Sequence, residues 1–200
     1  MSSEIIDHHH RRNFLPAAGR DLFLPLYDPL VSLLGGDRAR RDLVEQAKIE
    51  PSHRVLDVGC GTGTLVVLLK QRYPGMSVVG LDPDPKALHR AQNKAGRAGT
   101  SVQLDQGFAD ELPYANGSFD RVFSSFMFHH LEEQDREKML SEVLRVLKPA
   151  GSFHLLDFVK NSENRILELV KHAGFANAKK VKDGSMLLGL LRTAYYQASK

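Results

Sequence analysis

Residues 55–65 read VLDVGCGTGTL, an apolar run that ends in an aspartate and continues into three glycines at alternate positions. The run predicts a short buried strand, and TLVVLLKQRYP (64–74) predicts the helix that follows it. A glycine-rich turn lets the backbone approach a ligand closely, since no Cβ stands in the way. The alternative is a tight turn that binds nothing. Its position at the carboxyl end of a strand favours a ligand site, because open α/β sheets bind their ligands there.

Two common glycine-rich motifs do not fit the spacing of this turn. The dinucleotide fingerprint G-x-G-x-x-G requires its third glycine where this chain has Thr64. The phosphate-binding P-loop requires a lysine directly after its last glycine, and the first lysine after these glycines is Lys70. What remains is an aspartate followed by glycines two, four and six residues later: Asp57, Gly59, Gly61 and Gly63.

The rest of the chain alternates predicted strands with predicted helices. Further strands are expected at SVVGLD (77–82), VQLDQG (102–107), FDRVFSSF (119–126) and SFHLLDF (152–158), and a closing pair at NAKKVKD (177–183) and LLRTAYYQA (190–198). GGDRARRDLVEQAKI (35–49) is expected to form a loop and then a helix that begins after Asp37. Further helices are expected at PKALHRAQNKAGRAG (85–99), DREKMLSEVLRVLKPAG (135–151) and SENRILELVKHAGF (162–175). We expect Asp37 and Asp84 to cap two of these helices, and Pro149 to end another. The pattern predicts an α/β fold, a doubly wound and mostly parallel sheet with helices on both faces and an antiparallel C-terminal hairpin.

Composition and charge indicate one soluble globular domain. Hydrophobic residues make up 42% of the 200 residues and charged residues 26%. The net charge is +3, but the 27 basic and 24 acidic side chains are mixed along the chain, unlike the concentrated basic stripe of a nucleic-acid-binding protein. The densest basic set is interpreted as a solvated face: Arg11, Arg12, Arg38, Arg40 and Arg41.

Cysteine usage and the N-terminal sequence favour a cytoplasmic location. Cys60 is the only cysteine, so the chain forms no internal disulfide. No apolar run approaches the roughly 18 residues of a membrane span, and the N-terminus lacks the order of a signal peptide. The adjacent histidines 8–10 are interpreted as a polar tail, and no metal site is expected.

The spacing of Asp57, Gly59, Gly61 and Gly63 resembles motif I of the class I S-adenosylmethionine-dependent methyltransferases. The resemblance covers roughly residues 40–160. It comes nearest to the small-molecule group that includes the ubiquinone and menaquinone biosynthesis C-methyltransferases. It implies a Rossmann-like fold with S-adenosyl-L-methionine as the methyl donor. Residues 1–200 would form one methyltransferase domain, in which residues 1–45 are lid and acceptor-recognition helices and residues 46–200 the cofactor-binding core.

The resemblance also assigns donor-binding roles to side chains beyond the glycines. Asp82, in GLDPDP, would accept hydrogen bonds from the ribose hydroxyls. In GFADELPY, Asp110 would accept from the adenine amine, and Ala109 would offer its backbone amide. Ser125 and Phe126 would border the methionine part of the donor. Tyr27, in LYDP, looks like the lid tyrosine of the family, although it and Phe23 could equally be packed core. The expected cofactor-binding set is Asp57, Gly59, Cys60, Gly61, Gly63, Asp82, Pro83, Ala109, Asp110, Ser125, Phe126 and Tyr27.

The implied reaction is in-line attack of an acceptor on the methyl carbon of a sulfonium ion, in which the protein mainly supplies alignment. His129 and His130 follow the fourth strand and are the candidates for a catalytic base, with His129 preferred. Their alternative role is to line the pocket or to pack at a helix start. Cys60 is interpreted as a small filler of the turn and not as a nucleophile.

Two absences bear on the acceptor. The chain reads SSFM (124–127) where base N-methyltransferases carry an Asn/Asp-Pro-Pro-Tyr/Phe motif, so no nucleic-acid partner is expected. Only VKNSEN (159–164) separates the fifth strand from the next helix, which leaves acceptor recognition to residues 1–45 and the loop at 111–118. Such a thin cover suits a flat, apolar acceptor, or one presented at a membrane surface, better than a small polar metabolite that is fully enclosed. The expected partner is therefore a small-molecule or lipid-like acceptor. The alternatives are a non-catalytic S-adenosylmethionine-binding protein that acts as a regulator or partner subunit, and an RNA or protein methyltransferase.

Overall fold

The structure, a computed structural model, describes residues 34–159 and 163–200, and these form a single mixed sheet flanked by helices. The strands are β1 (Arg54–Val58), β2 (Ser77–Asp82), β3 (Gln103–Gln106), β4 (Phe119–Ser125), β5 (Leu147–Phe158), β6 (Ala176–Met186) and β7 (Leu191–Ser199). Their order is β3-β2-β1-β4-β5-β7-β6. The first five strands in this order are parallel, β7 is antiparallel to β5, and β6 is antiparallel to β7.

The helices are α1 (Gly36–Gln46), α2 (Thr64–Arg72), α3 (Pro85–Arg97), α4 (Glu133–Val146) and α5 (Glu163–His172). Two short 3-10 turns lie at Phe128–His130 and Leu187–Gly189. The predicted fold class is therefore confirmed: the sheet is doubly wound and mostly parallel, and its last two strands form an antiparallel hairpin.

Two hydrophobic clusters cover the two faces of the sheet. Successive side chains of a strand point to opposite faces, so Val55 and Leu56 of β1 belong to different clusters. One cluster joins β1 to α4 and α5 through Leu56, Val58, Met139, Leu140, Val143 and Val170. The other joins it to α1 and α2 through Leu43, Val44, Val55, Leu65, Leu69 and Phe123. Burial of each such side chain contributes about 1.5–3 kcal/mol, so these two layers hold the helices on the sheet.

One of the two expected helix caps is confirmed and the other is wrong. Asp84 caps α3, since its side chain accepts a hydrogen bond from the Lys86 amide at 2.8 Å. The expectation for Asp37 is wrong: α1 is capped by Gly35 in the left-handed conformation, and Asp37 lies inside the first turn. The two glycines before Asp37 allow the chain to enter the helix earlier, because glycine adopts positive φ at little energetic cost.

The end of α4 also differs from the expectation that Pro149 would end this helix. The helix ends at Val146, and Leu147 already belongs to β5, where it pairs with Phe119 of β4. Proline disfavours helical backbone in the residue before it. The chain is therefore extended before Pro149, and its backbone pairs with β4 instead. Leu147 fits the apolar periodicity of the helix because its side chain is buried, although its backbone belongs to a strand.

Several N-terminal features of the sequence lie outside the described residues. They are the histidines 8–10, Arg11, Arg12, Phe23 and Tyr27. Within residues 34–159 and 163–200, no helix is both long and apolar enough to span a bilayer.

The carboxyl ends of β1, β2, β4 and β5 meet at one edge of the sheet, which we call the site edge. The residues there are Val58, Asp82, Ser125 and Phe158. Because β6 is parallel to β5, the turn between β6 and β7 reaches the same edge. The glycine turn, the segment after β4 and the hairpin turn thus lie on one side of the molecule.

His154 generates a prediction about stability. It is fully buried, its ring stacks on Phe123 with 5.3 Å between centroids, and burial lowers its pKa to about 3 from an ordinary value of 6.5. Between those pH values the unfolded chain binds a proton at this side chain and the folded chain does not. The contribution of His154 to the free energy of unfolding should therefore fall as the pH decreases through this window, by up to about 1.4 kcal/mol per pH unit. Urea titrations of wild type and His154→Phe from pH 7.5 to 4.5 measure it. The variant should lose this component, and equal slopes would contradict the prediction.

Candidate functional site

The three glycines of the turn after β1 all have left-handed backbone, with φ of +71° at Gly59, +53° at Gly61 and +76° at Gly63. Two of them are required by packing. A Cβ on Gly59 would lie 2.4 Å from the Met127 side chain, and one on Gly63 would lie 2.6 Å from Ala91. Gly61 differs, because no atom lies within 4 Å of the position of its Cβ. The middle glycine therefore presents bare backbone to open space, which is what a bound ligand requires.

Asp82 fixes the glycine turn to the end of β2. The Gly61 amide donates to Asp82 Oδ2 at 2.8 Å, and the Asp84 amide donates to Asp82 Oδ1 at 3.0 Å. The amides of Gly59 and Cys60 both donate to the Leu81 carbonyl, at 2.8 and 2.9 Å. Burial raises the pKa of Asp82 above its ordinary value, although the two backbone donors act in the opposite direction. One carboxylate thus holds the loops after β1 and β2 together.

Asp57 is a buried carboxyl group that the protein itself leaves without hydrogen bonds. Its side chain is 1% exposed, and neither carboxylate oxygen has a partner among the described residues. Burial raises its pKa to about 8, while the charge of Arg40 acts to lower it and that of Asp82 to raise it. Buried polar atoms in proteins are almost always paired. These two oxygens therefore mark a place where a ligand or a water molecule completes the structure.

Arg40 corrects the interpretation of the basic residues as a solvated face. Arg38 and Arg41 are exposed, as expected, but Arg40 is only 7% exposed. Its guanidinium carbon lies 5.2 Å from the centre of the Phe126 ring, and its charge acts on Asp57. Arg40 lies on the inward face of the amphipathic helix α1. The clustering of basic residues in the sequence does not distinguish it from its exposed neighbours.

Cys60 fills the space beneath the turn. It is 8% exposed, and its Sγ would lie 2.9 Å from a Cβ at Gly80 of β2. Burial, followed by the charges of Asp57 and Asp82, raises the pKa of the thiol well above its ordinary value. A protonated, enclosed thiol is a poor nucleophile, which agrees with its interpretation as a small filler.

The turn after β3 lies beside Asp82. The Gly107 amide donates to the Asp82 carbonyl at 3.2 Å, and Gln106 Nε2 donates to the Pro83 carbonyl at 3.2 Å. Ala109 and Asp110 follow in a turn, and both are partly buried. The structure therefore brings this pair to the same edge of the sheet as the carboxylate of Asp82.

The chain bends sharply after β4. Phe126 has φ of +58°, a conformation that disfavours side chains with a Cβ, and its amide donates to the Leu156 carbonyl at 2.9 Å. Its ring packs against Phe158 with 5.0 Å between centroids. The bend directs Met127 across Gly59, so the segment after β4 contacts the glycine turn directly.

His129 forms a hydrogen-bonded pair with Asp157, which was not among the predicted site residues. Asp157 Oδ1 lies 2.6 Å from His129 Nδ1, and Asp157 Oδ2 accepts from the His129 amide at 2.8 Å. The Asp157 side chain is 1% exposed and that of His129 26%. The His130 ring lies 4.0 Å from the His129 ring. The available signal was an aspartate directly after the apolar pair Leu155–Leu156 of β5, since a charge in a buried strand requires a partner.

The described members of the expected cofactor set lie on loops and strand ends at the site edge. Those at the ends of β1 and β2 and in the turns that follow them are Asp57, Gly59, Cys60, Gly61, Gly63, Asp82 and Pro83. Ala109 and Asp110 follow β3, Ser125 ends β4, and Phe126 follows it. Their roles toward a ligand remain predictions, and Tyr27 lies outside the described residues.

Known proteins resemble this chain in sequence. Residues 55–151 match the family model described as a methyltransferase domain. A demethylmenaquinone methyltransferase from Thermus thermophilus is 42% identical over 137 residues, which are 67% of this chain and 61% of that protein. The chain thus spans less than two thirds of the length of the first curated relatives that it matches.

Solved structures resemble its fold. A phosphoethanolamine N-methyltransferase from Haemonchus contortus, in complex with S-adenosyl-L-methionine, has a TM-score of 0.78 at 17% identity, with 91% of this chain and 57% of that chain covered. The (4+2)-cyclase SpnF has a TM-score of 0.75 at 18% identity, with 94% and 99% covered. At such low identity these likenesses show the fold alone. The domain match and the sequence relatives identify the matched part of this chain as a class I S-adenosylmethionine-dependent methyltransferase domain, similar to the group that includes the ubiquinone/menaquinone biosynthesis C-methyltransferases.

Proposed function

We propose that this protein transfers a methyl group from S-adenosyl-L-methionine to a small, lipophilic acceptor that carries an acidic hydroxyl, such as an aromatic hydroquinone. The observation that carries the proposal is the His129–Asp157 pair, which lies two residues beyond the Met127 side chain that covers Gly59. In this proposal His129 would serve as a base next to the turn that would hold the donor. The demethylmenaquinone methyltransferase among the relatives supports the class of acceptor.

The residues at the site edge fit the donor chemically. Its amino-acid end carries an ammonium and a carboxylate, and the site offers a buried carboxylate without partners, Asp57, near a buried guanidinium, Arg40. Bare backbone at Gly61 would lie against the donor. Asp82 would accept from the ribose hydroxyls, and Asp110 with the Ala109 amide would recognise adenine. Ser125 and Phe126 would border the methionine chain.

His129 would remove the acceptor's proton. A carboxylate only accepts hydrogen bonds, so Asp157 holds the proton on Nδ1 and leaves Nε2 of the neutral ring as an acceptor. When bound, the donor supplies a methyl group on a sulfonium, which breaks its bond to sulfur as an oxygen or carbon of the acceptor attacks. The acceptor's hydroxyl proton would pass to His129 Nε2. The loops at the site edge would align the two reactants, and such alignment lowers the activation barrier by several kcal/mol.

Several further expectations belong to this proposal as predictions. They are a single domain in which residues 1–45 form the lid and the acceptor-recognition helices, a cytoplasmic location, and the absence of a nucleic-acid partner. Acceptor contacts from the loop at 111–118 are another. That loop is held by Arg145, which donates to the carbonyls of Leu112 and Tyr114 at 2.9 and 2.7 Å.

Donor binding can be tested at Gly61, with Gly99 as a matched control. Both glycines have positive φ and open space around the Cβ position, so alanine introduces the same backbone strain of about 1–2 kcal/mol at each. Gly61→Ala should weaken S-adenosylmethionine binding at least tenfold, because the methyl group occupies the place of the donor. Gly99→Ala should bind as wild type does. Calorimetric titration measures both, and equal affinities would exclude the assignment.

Asp57 should release a proton when the donor binds. With a pKa of about 8 it is about nine-tenths protonated at pH 7, and an arriving ammonium group stabilises its ionised form. Calorimetry in buffers of different ionisation enthalpy should therefore show the release of close to one proton for each donor bound. Asp57→Asn should abolish this release, and an unchanged proton count in the variant would refute the role.

Methyl transfer itself can be followed with donor labelled in the methyl group. Label should enter a bacterial lipid extract and a 1,4-naphthohydroquinone without a side chain, and not RNA or protein fractions. His129→Asn should lower turnover at neutral pH about a hundredfold or more, and Asp157→Asn about tenfold or more, with donor affinity within about twofold of wild type. His130→Asn should retain turnover within about threefold. Wild-type turnover in His129→Asn would remove the proposed base, and label confined to RNA or protein would remove the proposed acceptor class.

A further inference from the structure

The turn between β6 and β7 exposes apolar side chains. After the 3-10 turn at Leu187–Gly189, Leu190 is 78% exposed and Leu191 is 38% exposed. Among the side chains that the structure describes, the only other exposed large apolar one is Val181, at 39%, in the middle of β6. Two of the three therefore lie next to each other at one turn, residues 187–191, which we call the leucine turn.

The leucine turn lies at the site edge. In the pairing of β5 with β7, Asp157 is opposite Ala194 and Phe158 is opposite Thr193. The Val159 amide extends this contact by donating to the Arg192 carbonyl at 3.0 Å. Leu191 is three residues from Ala194, or about 10 Å along an extended strand. The exposed leucines are thus close to the partner of the proposed catalytic base.

Two exposed arginines lie beside the leucine turn. The Leu187 amide donates to the Leu34 carbonyl at 3.0 Å, which fixes the turn beside the start of α1, where Arg38 is exposed. Arg192 follows Leu191 directly and is also exposed. Of the other basic residues of the hairpin, Lys180 pairs with Asp183 and Lys182 with Asp42, and Lys179 and Lys200 lie toward its opposite end. An apolar tip beside the exposed Arg38 and Arg192 complements an anionic lipid surface, where each basic residue contributes about 1 kcal/mol.

We propose that the leucine turn inserts into an anionic lipid surface and so turns the site edge toward the membrane. The orientation would let a lipophilic acceptor pass from the bilayer to His129 without crossing water, a consequence that rests on the proposed function. A second copy of the chain is the less suitable occupant, since two leucines among like charges fall far short of the roughly 800 Å² per partner of a stable interface.

Flotation of the full chain with lipid vesicles tests the insertion. The probes are vesicles of phosphatidylglycerol and phosphatidylcholine in equal amounts, and vesicles of phosphatidylcholine alone. Wild type should bind the anionic vesicles more tightly. The double variant Leu190→Ser with Leu191→Ser should bind them at least tenfold more weakly, because a buried leucine contributes about 1.5–3 kcal/mol. Val181→Ser is the matched control, since it removes an exposed apolar side chain of the same hairpin away from the tip, and it should bind as wild type does.

A second pair of variants tests the charge. Arg38→Gln and Arg192→Gln should each weaken binding to the anionic vesicles about fivefold and reduce its dependence on salt, with no effect on phosphatidylcholine vesicles. Absence of wild-type binding to anionic vesicles would overturn the proposal. Equal losses in Val181→Ser and the double leucine variant would also overturn it, as would a dimer that the double leucine variant dissociates.

The vesicle assay contains neither donor nor acceptor, so its outcome is independent of the proposed reaction. Donor affinity of the double leucine variant should equal that of wild type, which shows an intact fold. If methyl transfer is absent while the double leucine variant loses vesicle binding, the proposed function is wrong and the proposed lipid contact is supported. If transfer to the soluble naphthohydroquinone succeeds while neither kind of vesicle binds the protein, the lipid surface falls alone.

Discussion

The hydrogen bond from the Gly61 amide to Asp82 Oδ2 ties together the loops on which the donor side of the molecule depends. The same carboxylate accepts from the Asp84 amide, and Asp84 in turn caps α3. Gly63 begins α2 and packs against Ala91 of α3. The position of one carboxylate therefore sets the starts of two helices and the shape of the glycine turn between them. A change at Asp82 would act on all three, which makes this residue structural as well as a candidate ligand contact.

Local features of this fold could be predicted from the sequence. The strand before the glycines, the cap at Asp84 and the mostly parallel sheet follow from patterns that span a few residues each. What could not be predicted depends on distant partners. Leu147 leaves its helical periodicity because it pairs with Phe119, and Arg40 is buried because Phe126 lies beneath α1. Neither partner is visible in the pattern around the residue itself.

The two halves of the candidate site differ in the same way. The proposed donor half is built from the ends of β1, β2 and β3 and the short loops that follow them, so a sequence motif describes most of it. The proposed acceptor half depends on the pairing of β4 with β5, which brings Asp157 to His129 across 28 positions of sequence. For this reason the histidine could be chosen from the sequence and its partner could not. A fold shared with a cyclase as well as with methyltransferases fits this division, since the fold positions the edge and the residues on it decide the chemistry.

Asp57 has a consequence for the lifetime of the protein in the cell. A buried carboxyl group whose oxygens lack partners weakens the folded state, and a bound cation would remove that weakness. By mass action, each tenfold rise of a ligand above its dissociation constant adds about 1.4 kcal/mol to the stability of the protein that binds it. If that cation is the proposed methyl donor, resistance to heat and to proteases would follow the donor's supply, and a shortage of donor would reduce the amount of this protein before any change in its synthesis.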